Sequence, residues 1–105
     1  MFNEEQTGKL KGLVDLFCAK ADDQIAKAQK NFPRNRGVRD DNDVYRLSQR
    51  SIAQGAAMAY FDAACKVIDT LYPKACTERD DLAVKANLRY EKIMQGTDDY
   101  NRFVA

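Results

Sequence analysis

The sequence has no histidine and no tryptophan, two prolines, and no long run of apolar residues. Histidine is the general base of most hydrolases and a frequent metal ligand, so its absence excludes the histidine-dependent mechanisms. No apolar run approaches the roughly 20 residues that a membrane-spanning helix needs, so we expect no membrane segment. The first residues are polar and acidic, which predicts that no secretory signal is present.

An excess of charge of either sign is also lacking. Lysine and arginine number 17 and aspartate and glutamate 16, so the net charge of +1 predicts no general attraction to nucleic acid or membranes. The three cysteines, Cys18, Cys65 and Cys76, are an odd number without paired spacing. We therefore expect free thiols, no disulfide framework, and a reducing, cytoplasmic environment.

Motifs that carry chemistry are absent as well. The chain has no phosphate-binding loop, no dinucleotide fingerprint, no zinc-ligand spacing and no helix-turn-helix signature. Adjacent carboxylates such as Asp80 and Asp81 point to different sides of a helix, and most such pairs stand where helices are predicted to begin. The sequence therefore predicts a protein that is not an enzyme, with no catalytic residue, no metal site and no cofactor.

What the sequence does contain is an almost uncharged central segment, residues 52–68, that is apolar nearly all round. As a helix it should be enclosed by neighbours on more than one side. Gly55, Ala59 and Ala63 form one row of small residues, and Ala53 and Ala57 form a second. Small residues let a partner backbone approach closely, so we expect another helix to press against this segment.

Helix boundaries follow from caps, prolines and apolar periodicity. Asn3 and Gln6 resemble a capping box, and Pro33 and Pro73 end the two long apolar patterns. Gly96 is a favourable residue just after a helix. The pattern predicts an all-α fold with helices over about 3–32, 42–72 and 77–95. These form a long antiparallel hairpin with a shorter third helix, in one domain over 1–105 with a tail at 97–105.

A third helix of about 19 residues is too short to cover a hairpin of about 30 residues at the same rise per residue. We therefore expect the tip of the hairpin, beside the predicted loop at 33–39, to stay partly uncovered. An exposed apolar stripe on a small protein usually marks an interface, so the protein is expected to be a homo-oligomer or to bind a partner there. The predicted interface residues are Ile25, Phe32, Val44 and Leu47.

Five arginines lie in or near the same loop, and arginine suits phosphate and carboxylate groups. Their expected role is contact with a partner or an anion, and the alternative is a solvated loop neutralised by neighbouring aspartates. The C-terminal tail offers a second aromatic and basic group, which either contacts a partner or packs on its own domain. The candidate residues are Arg34, Arg36, Arg39, Arg46 and Arg50, and Tyr100, Arg102 and Phe103 in the tail.

The function that these patterns favour is a small helical binding protein, an inhibitor or adaptor that occupies a surface on another macromolecule. The small size and the lack of catalytic motifs are typical of viral and mobile-element accessory proteins, including inhibitors of host defence. One alternative is sequestration of a small anion such as a nucleotide by the arginines at a subunit interface. A weaker alternative is a nucleic-acid accessory protein, since no aromatic residues interleave with the arginines.

Overall fold

The computed structural model describes residues 2–32 and 40–104, which form three α-helices and no strand. Helix α1 spans Glu4–Lys30, α2 spans Asp41–Leu71 and α3 spans Thr77–Val104. Each helix contacts the other two. The predicted all-α three-helix bundle is confirmed. None of the helices in this part of the chain is long and apolar enough to cross a bilayer.

The α1–α2 hairpin is antiparallel along its whole length. Arg46, near the start of α2, reaches the last turn of α1 by donating to the Lys30 carbonyl at 3.2 Å. At the opposite end, the Lys11 ammonium lies 6.0 Å from the centre of the Tyr72 ring. The bundle is elongated as a result, with extents of 55 × 20 × 14 Å.

Side-chain caps start the first two helices. The Asn3 side chain accepts a hydrogen bond from the Gln6 backbone N–H at 2.8 Å, and the Gln6 side chain accepts from the Asn3 N–H at 3.1 Å. The predicted capping box is therefore confirmed. Asp40 caps α2 by accepting from the Asp43 N–H at 2.9 Å. Each such cap contributes about 1 kcal/mol because it satisfies a backbone donor that has no partner within the helix.

The core shows which face of the central segment is enclosed. Ala53, Ala57 and Ala64 are buried on α2, and the core also contains Val14 and Cys18 from α1. These alanines let the α1 and α2 backbones approach closely. The prediction of enclosure holds for this row but not for the row of Gly55 and Ala59, which is exposed. The three-helix arrangement packs against one side of α2 and leaves the opposite side uncovered.

The predicted end of α3 at residue 95 is wrong, because the helix continues to Val104. Gly96 lies inside the helix rather than after it. Farther on, the rings of Tyr100 and Phe103 pack edge-to-face on Phe32, with centroids at 6.1 and 4.9 Å. Burial of these aromatic rings outweighs the roughly 1 kcal/mol that glycine costs within a helix.

A full-length α3 also changes the tip of the hairpin. Ile25 is buried and Phe32 and Leu47 are partly buried, whereas Val44 is 52% exposed. The expectation of an uncovered tip is therefore wrong for Ile25, which packs with Ala57 and Ile93, whereas Phe32 is partly covered by rings from the last turns of α3. Among the predicted interface residues, only Val44 stays largely open to solvent.

Polar contacts fasten α3 along its length. Near its start, Arg79 donates to the Tyr72 carbonyl and, at 2.7 Å, to the Asp69 carboxylate. In the middle, Arg89 donates to Asp22 of α1 at 2.9 Å. The two bonds of Arg79 close the connection between α2 and α3.

The position of Gly96 provides a test of the longer helix. A methyl group added at Gly96 would come no closer than 3.5 Å to the Gln54 side chain, an ordinary contact. We expect Gly96→Ala to raise the free energy of unfolding by up to about 1 kcal/mol, because alanine is the better helix former. Urea denaturation measures this, with Gly8→Ala as a control at an exposed helical glycine that has open space around it. A loss of stability in Gly96→Ala alone would show that the helix ends at this residue.

Candidate functional site

Of the five candidate arginines, the described part of the chain includes Arg46 and Arg50. Arg34, Arg36 and Arg39 lie outside the described residues. Arg46 donates to the Lys30 carbonyl at 3.2 Å and to the Phe32 carbonyl at 3.5 Å, so it occupies the free carbonyls at the end of α1. These contacts give Arg46 a structural role. Its predicted role in binding a partner stays a prediction.

Arg50 is buried, with 5% of its surface exposed. Its guanidinium donates to the Gln54 side chain at 2.9 Å and to the Gly96 carbonyl at 2.5 Å. The guanidinium carbon also lies 4.4 Å from the centre of the Tyr100 ring, which supplies a cation–π contact. Burial lowers the pKa of Arg50, an effect that Tyr100 and Asp99 oppose. Arg50 therefore joins α2 to α3.

The three candidate residues near the C-terminus include both packed and exposed side chains. Tyr100 and Phe103 lie against Phe32, and Tyr100 also stacks on Arg50. Arg102 is exposed. Of the three, Arg102 is the side chain that remains open for a partner, and its binding role stays a prediction.

A cleft of about 150 Å³ opens where the three helices meet near the tip of the hairpin. Ile25, Phe32 and Ile93 contribute apolar surface, and Arg50 and Lys92 contribute positive charge. A volume of this size holds a group about as large as benzene. It is smaller than the roughly 300–1,000 Å³ of typical ligand pockets, and therefore too small to enclose a nucleotide.

A stretch of exposed surface without charged side chains lies on the side of α2 that faces away from α1 and α3. Tyr45 and Ile52 are each 63% exposed there, and Val44 is 52% exposed. We name this surface the outer face of α2. No charged residue occurs between positions 51 and 61, although 31% of the chain is charged. The outer face of α2 consists of the exposed residues Val44, Tyr45, Ser48, Ile52, Gly55 and Ala59.

Gly55 contributes no side chain to this surface, and we call the open space beside its backbone the Gly55 notch. A side-chain carbon added there would meet no atom within 4 Å, so the backbone at Gly55 is open to solvent. Ile52 projects one turn away and is largely exposed. The face therefore pairs a large exposed aliphatic side chain with a neighbouring position that has no side chain, an arrangement that suits helix-to-helix packing.

Sequence reasoning named Val44 but missed Tyr45 and Ile52. It expected neighbours on more than one side of the central segment, which contains Ile52, and it did not assign Tyr45 to an interface. A signal was available in the spacing. Tyr45, Ser48 and Ile52 follow one another by three and four residues, on a face of α2 distinct from that of the buried alanines.

The free cysteines lie apart from this face. Cys18 is buried, and Cys65 and Cys76 are partly buried. Burial raises the pKa of the Cys18 and Cys65 thiols. The Cys76 thiol contacts the Glu78 carboxylate, whose pKa is lowered by its own backbone N–H and by this thiol. Across residues 2–32 and 40–104, no three cysteine or acidic side chains lie close enough together to hold a metal ion.

The structural role of Arg50 predicts a large loss of stability on truncation. We expect Arg50→Ala to lower the free energy of unfolding by about 2–3 kcal/mol, because the Gly96 carbonyl loses its donor and Tyr100 loses the stacked guanidinium. Arg102→Ala removes an exposed arginine from the same end of the bundle. This substitution should change the free energy of unfolding by less than about 0.5 kcal/mol. Equal effects in urea denaturation would contradict the structural role of Arg50.

The raised pKa of Cys18 predicts a dependence of stability on pH. The folded state holds the thiol proton more tightly than the unfolded state. The contribution of the protonated Cys18 thiol to the free energy of unfolding is therefore fully present below the ordinary thiol pKa of about 8.5. It decreases as the pH rises toward the folded-state pKa. We therefore expect the stability of the native chain to fall more steeply above about pH 8.5 than that of Cys18→Ala. Parallel slopes in denaturation measured across this range would disprove the coupling.

The chain matches no protein-family model, and no curated protein or solved structure shows significant similarity to it. No relative therefore supplies a binding partner or a site by analogy. The functional hypothesis depends on the exposed and buried groups of this chain alone.

Proposed function

We propose that this chain is a non-enzymatic binding protein, an inhibitor or adaptor, that acts through protein–protein contact at the outer face of α2. One observation carries the proposal. The outer face extends without charge from Val44 to Ala59, over about 22 Å of helix, and is exposed along that length. Exposed apolar surface of this extent, on a chain rich in charge, is typical of an interface.

Other exposed apolar residues support an interface less well. Val84 and Leu88 on the outer side of α3 are 61% and 48% exposed. Charged Lys85, Glu91 and Lys92 stand beside them in the helix and are exposed as well. A surface divided by charges in this way is ordinary for a solvent-facing helix, because single exposed aliphatic residues are common.

The anion-binding alternative has weaker support. Arg46 and Arg50 direct guanidinium donors to acceptors within the chain, and the cleft beside Arg50 is too small for a nucleotide. The nucleic-acid alternative depends on a basic surface, and the net charge of the chain is +1. Contact with a protein is therefore the function that the geometry supports best.

A photoreactive phenylalanine analogue in place of Ile52 tests this proposal in cells that produce the chain. We expect irradiation to yield protein adducts, because the outer face of α2 lies against a partner. The same analogue in place of Val84 is the matched control, since the two residues are 63% and 61% exposed. Adduct yield from position 52 should exceed that from position 84 severalfold, as measured by gel shift and mass spectrometry.

Equal adduct yields at the two positions would overturn the proposal, because random encounters label equally exposed sites alike. Both substituted chains must melt at the temperature of the native chain, which is checked by circular dichroism. This requirement separates a lost contact from a damaged fold.

A further inference from the structure

We infer that the partner of the outer face of α2 is a second copy of this chain, paired antiparallel through α2 about a two-fold axis between Ile52 and Gly55. The inference rests on the proposed function and identifies its partner. It is carried by the spacing, shape and charge of the exposed side of α2.

The exposed positions on this side of α2 have the 4–3 spacing of a coiled-coil seam, although Tyr45 and Ile52 are the large apolar side chains among them. From Asp41 to Lys66, positions on this side of α2 follow one another by alternate steps of four and three residues, beginning with four. Every position in this series is exposed. Alternation of four and three is the repeat by which two helices pack side by side over several turns. The series extends over about 38 Å of helix. Two helices that cross at a steep angle touch over a shorter length, so a series of this length favours side-by-side packing.

The shape of the seam is self-complementary. A two-fold axis midway between Ile52 and Gly55 places the Ile52 side chain of each copy opposite the Gly55 notch of the other. It also places Ser48 opposite Ala59. The Ile52 side chain thus meets a position without a side chain, where a carbon added at Gly55 would meet no atom of the described chain within 4 Å. Two-fold dimers are built in this way, from one patch that fits itself.

The charges at the ends of the seam fit the same register. The axis brings Asp41 opposite Lys66 at each end, and brings the Tyr45 hydroxyl opposite the Asp62 carboxylate. Among the described residues, Asp41, Asp62 and Lys66 form no ion pair within the chain. Each end therefore has a charge available for the second copy.

A parallel pairing is disfavoured by the same residues. It would place Asp41 against Asp41, Asp62 against Asp62 and Lys66 against Lys66, so that like charges face each other. It would also bring the two Ile52 side chains together and leave a gap between the two Gly55 residues. The antiparallel register avoids both conflicts, which is why we assign it.

Gly55→Leu is the principal test. The open space at Gly55 accepts a side chain in the single chain, so this substitution should preserve the fold while it fills the notch required by Ile52 of the second copy. The matched control is Gly12→Leu, at another exposed helical glycine with open space around it. Sedimentation equilibrium on the full chain, from about 1 µM to 1 mM, gives the mass independently of the elongated shape.

We expect the native chain and Gly12→Leu to form dimers with similar dissociation constants. Gly55→Leu should raise the dissociation constant at least about tenfold, the change that corresponds to 1.4 kcal/mol. A native chain that stays monomeric over the whole range would overturn the inference. So would a dimer that Gly55→Leu leaves unchanged.

Charge reversal tests the register. Asp41→Lys and Lys66→Asp should each weaken the dimer, because each places like charges together at both ends of the seam. The double variant restores opposite charges and should recover most of the native affinity. A double variant that does not recover the affinity of the dimer would overturn the antiparallel register. Recovery could not come from a general loss of helix stability, because the effects of the two substitutions would then add.

These results distinguish the inference from the proposed function. Adducts at position 52 with a protein of different mass, from a chain that sediments as a monomer, would refute the second copy and uphold binding at the outer face of α2. Equal adduct yields at positions 52 and 84 would refute the proposed function itself. Adducts of twice the chain mass from purified protein would support both.

Discussion

Burial of the Arg50 guanidinium is the constraint on which the hairpin-tip half of the structure depends. A buried charge costs several kcal/mol unless its donors are matched, and here the Gln54 side chain and the Gly96 carbonyl accept from it. Tyr100 covers the guanidinium from α3, and the Phe32 ring of α1 lies 5.7 Å away. These partners require α3 to continue through Gly96, and the continued helix in turn covers Phe32 with the rings of Tyr100 and Phe103.

The composition of α2 explains both the compact hairpin and the open side of the bundle. The alanines that face α1 allow close packing, and this packing occupies one side of the helix only. The opposite side also lacks exposed charge from Val44 to Ala59, but it carries the larger Tyr45 and Ile52 and meets solvent in the single chain. A helix that is apolar nearly all round is expected to be enclosed. The bundle meets this expectation on one side, and the proposed antiparallel pairing would meet it on the other.

Local signals predicted most of the fold, since the capping box at Asn3 and the helix ends before Pro33 and Pro73 depend on a few neighbouring residues. The end of α3 was not predictable in this way. Gly96 resembles a helix end by its local sequence, and the contacts that override it join Phe32 and Arg50 to residues about 50–70 positions away in the sequence. Such contacts depend on the assembled bundle, which no short window contains.

The candidate site was less predictable for a related reason. A group of arginines indicates anion binding only while its donors are free, and the sequence does not show that Arg50 donates to Gly96. Likewise, two rows of small residues on α2 have the same pattern, and only the packed structure shows that the row of Ala53 and Ala57 lies inside. The exposed row could be recognised once the buried one was assigned.

The two arginine contacts at opposite ends of α3 have a mechanical consequence. Arg79 ties the first turn of α3 to Tyr72 and Asp69, and Arg50 ties Gly96 to α2, about 25 Å farther along the helix axis. A helix held at one end could swing open as a hinged lid. Because α3 is bound at both places, it cannot rotate away from the bundle without losing the contacts of Arg79 or of Arg50. We therefore expect its detachment to accompany cooperative unfolding of the bundle, not to open and close the cleft.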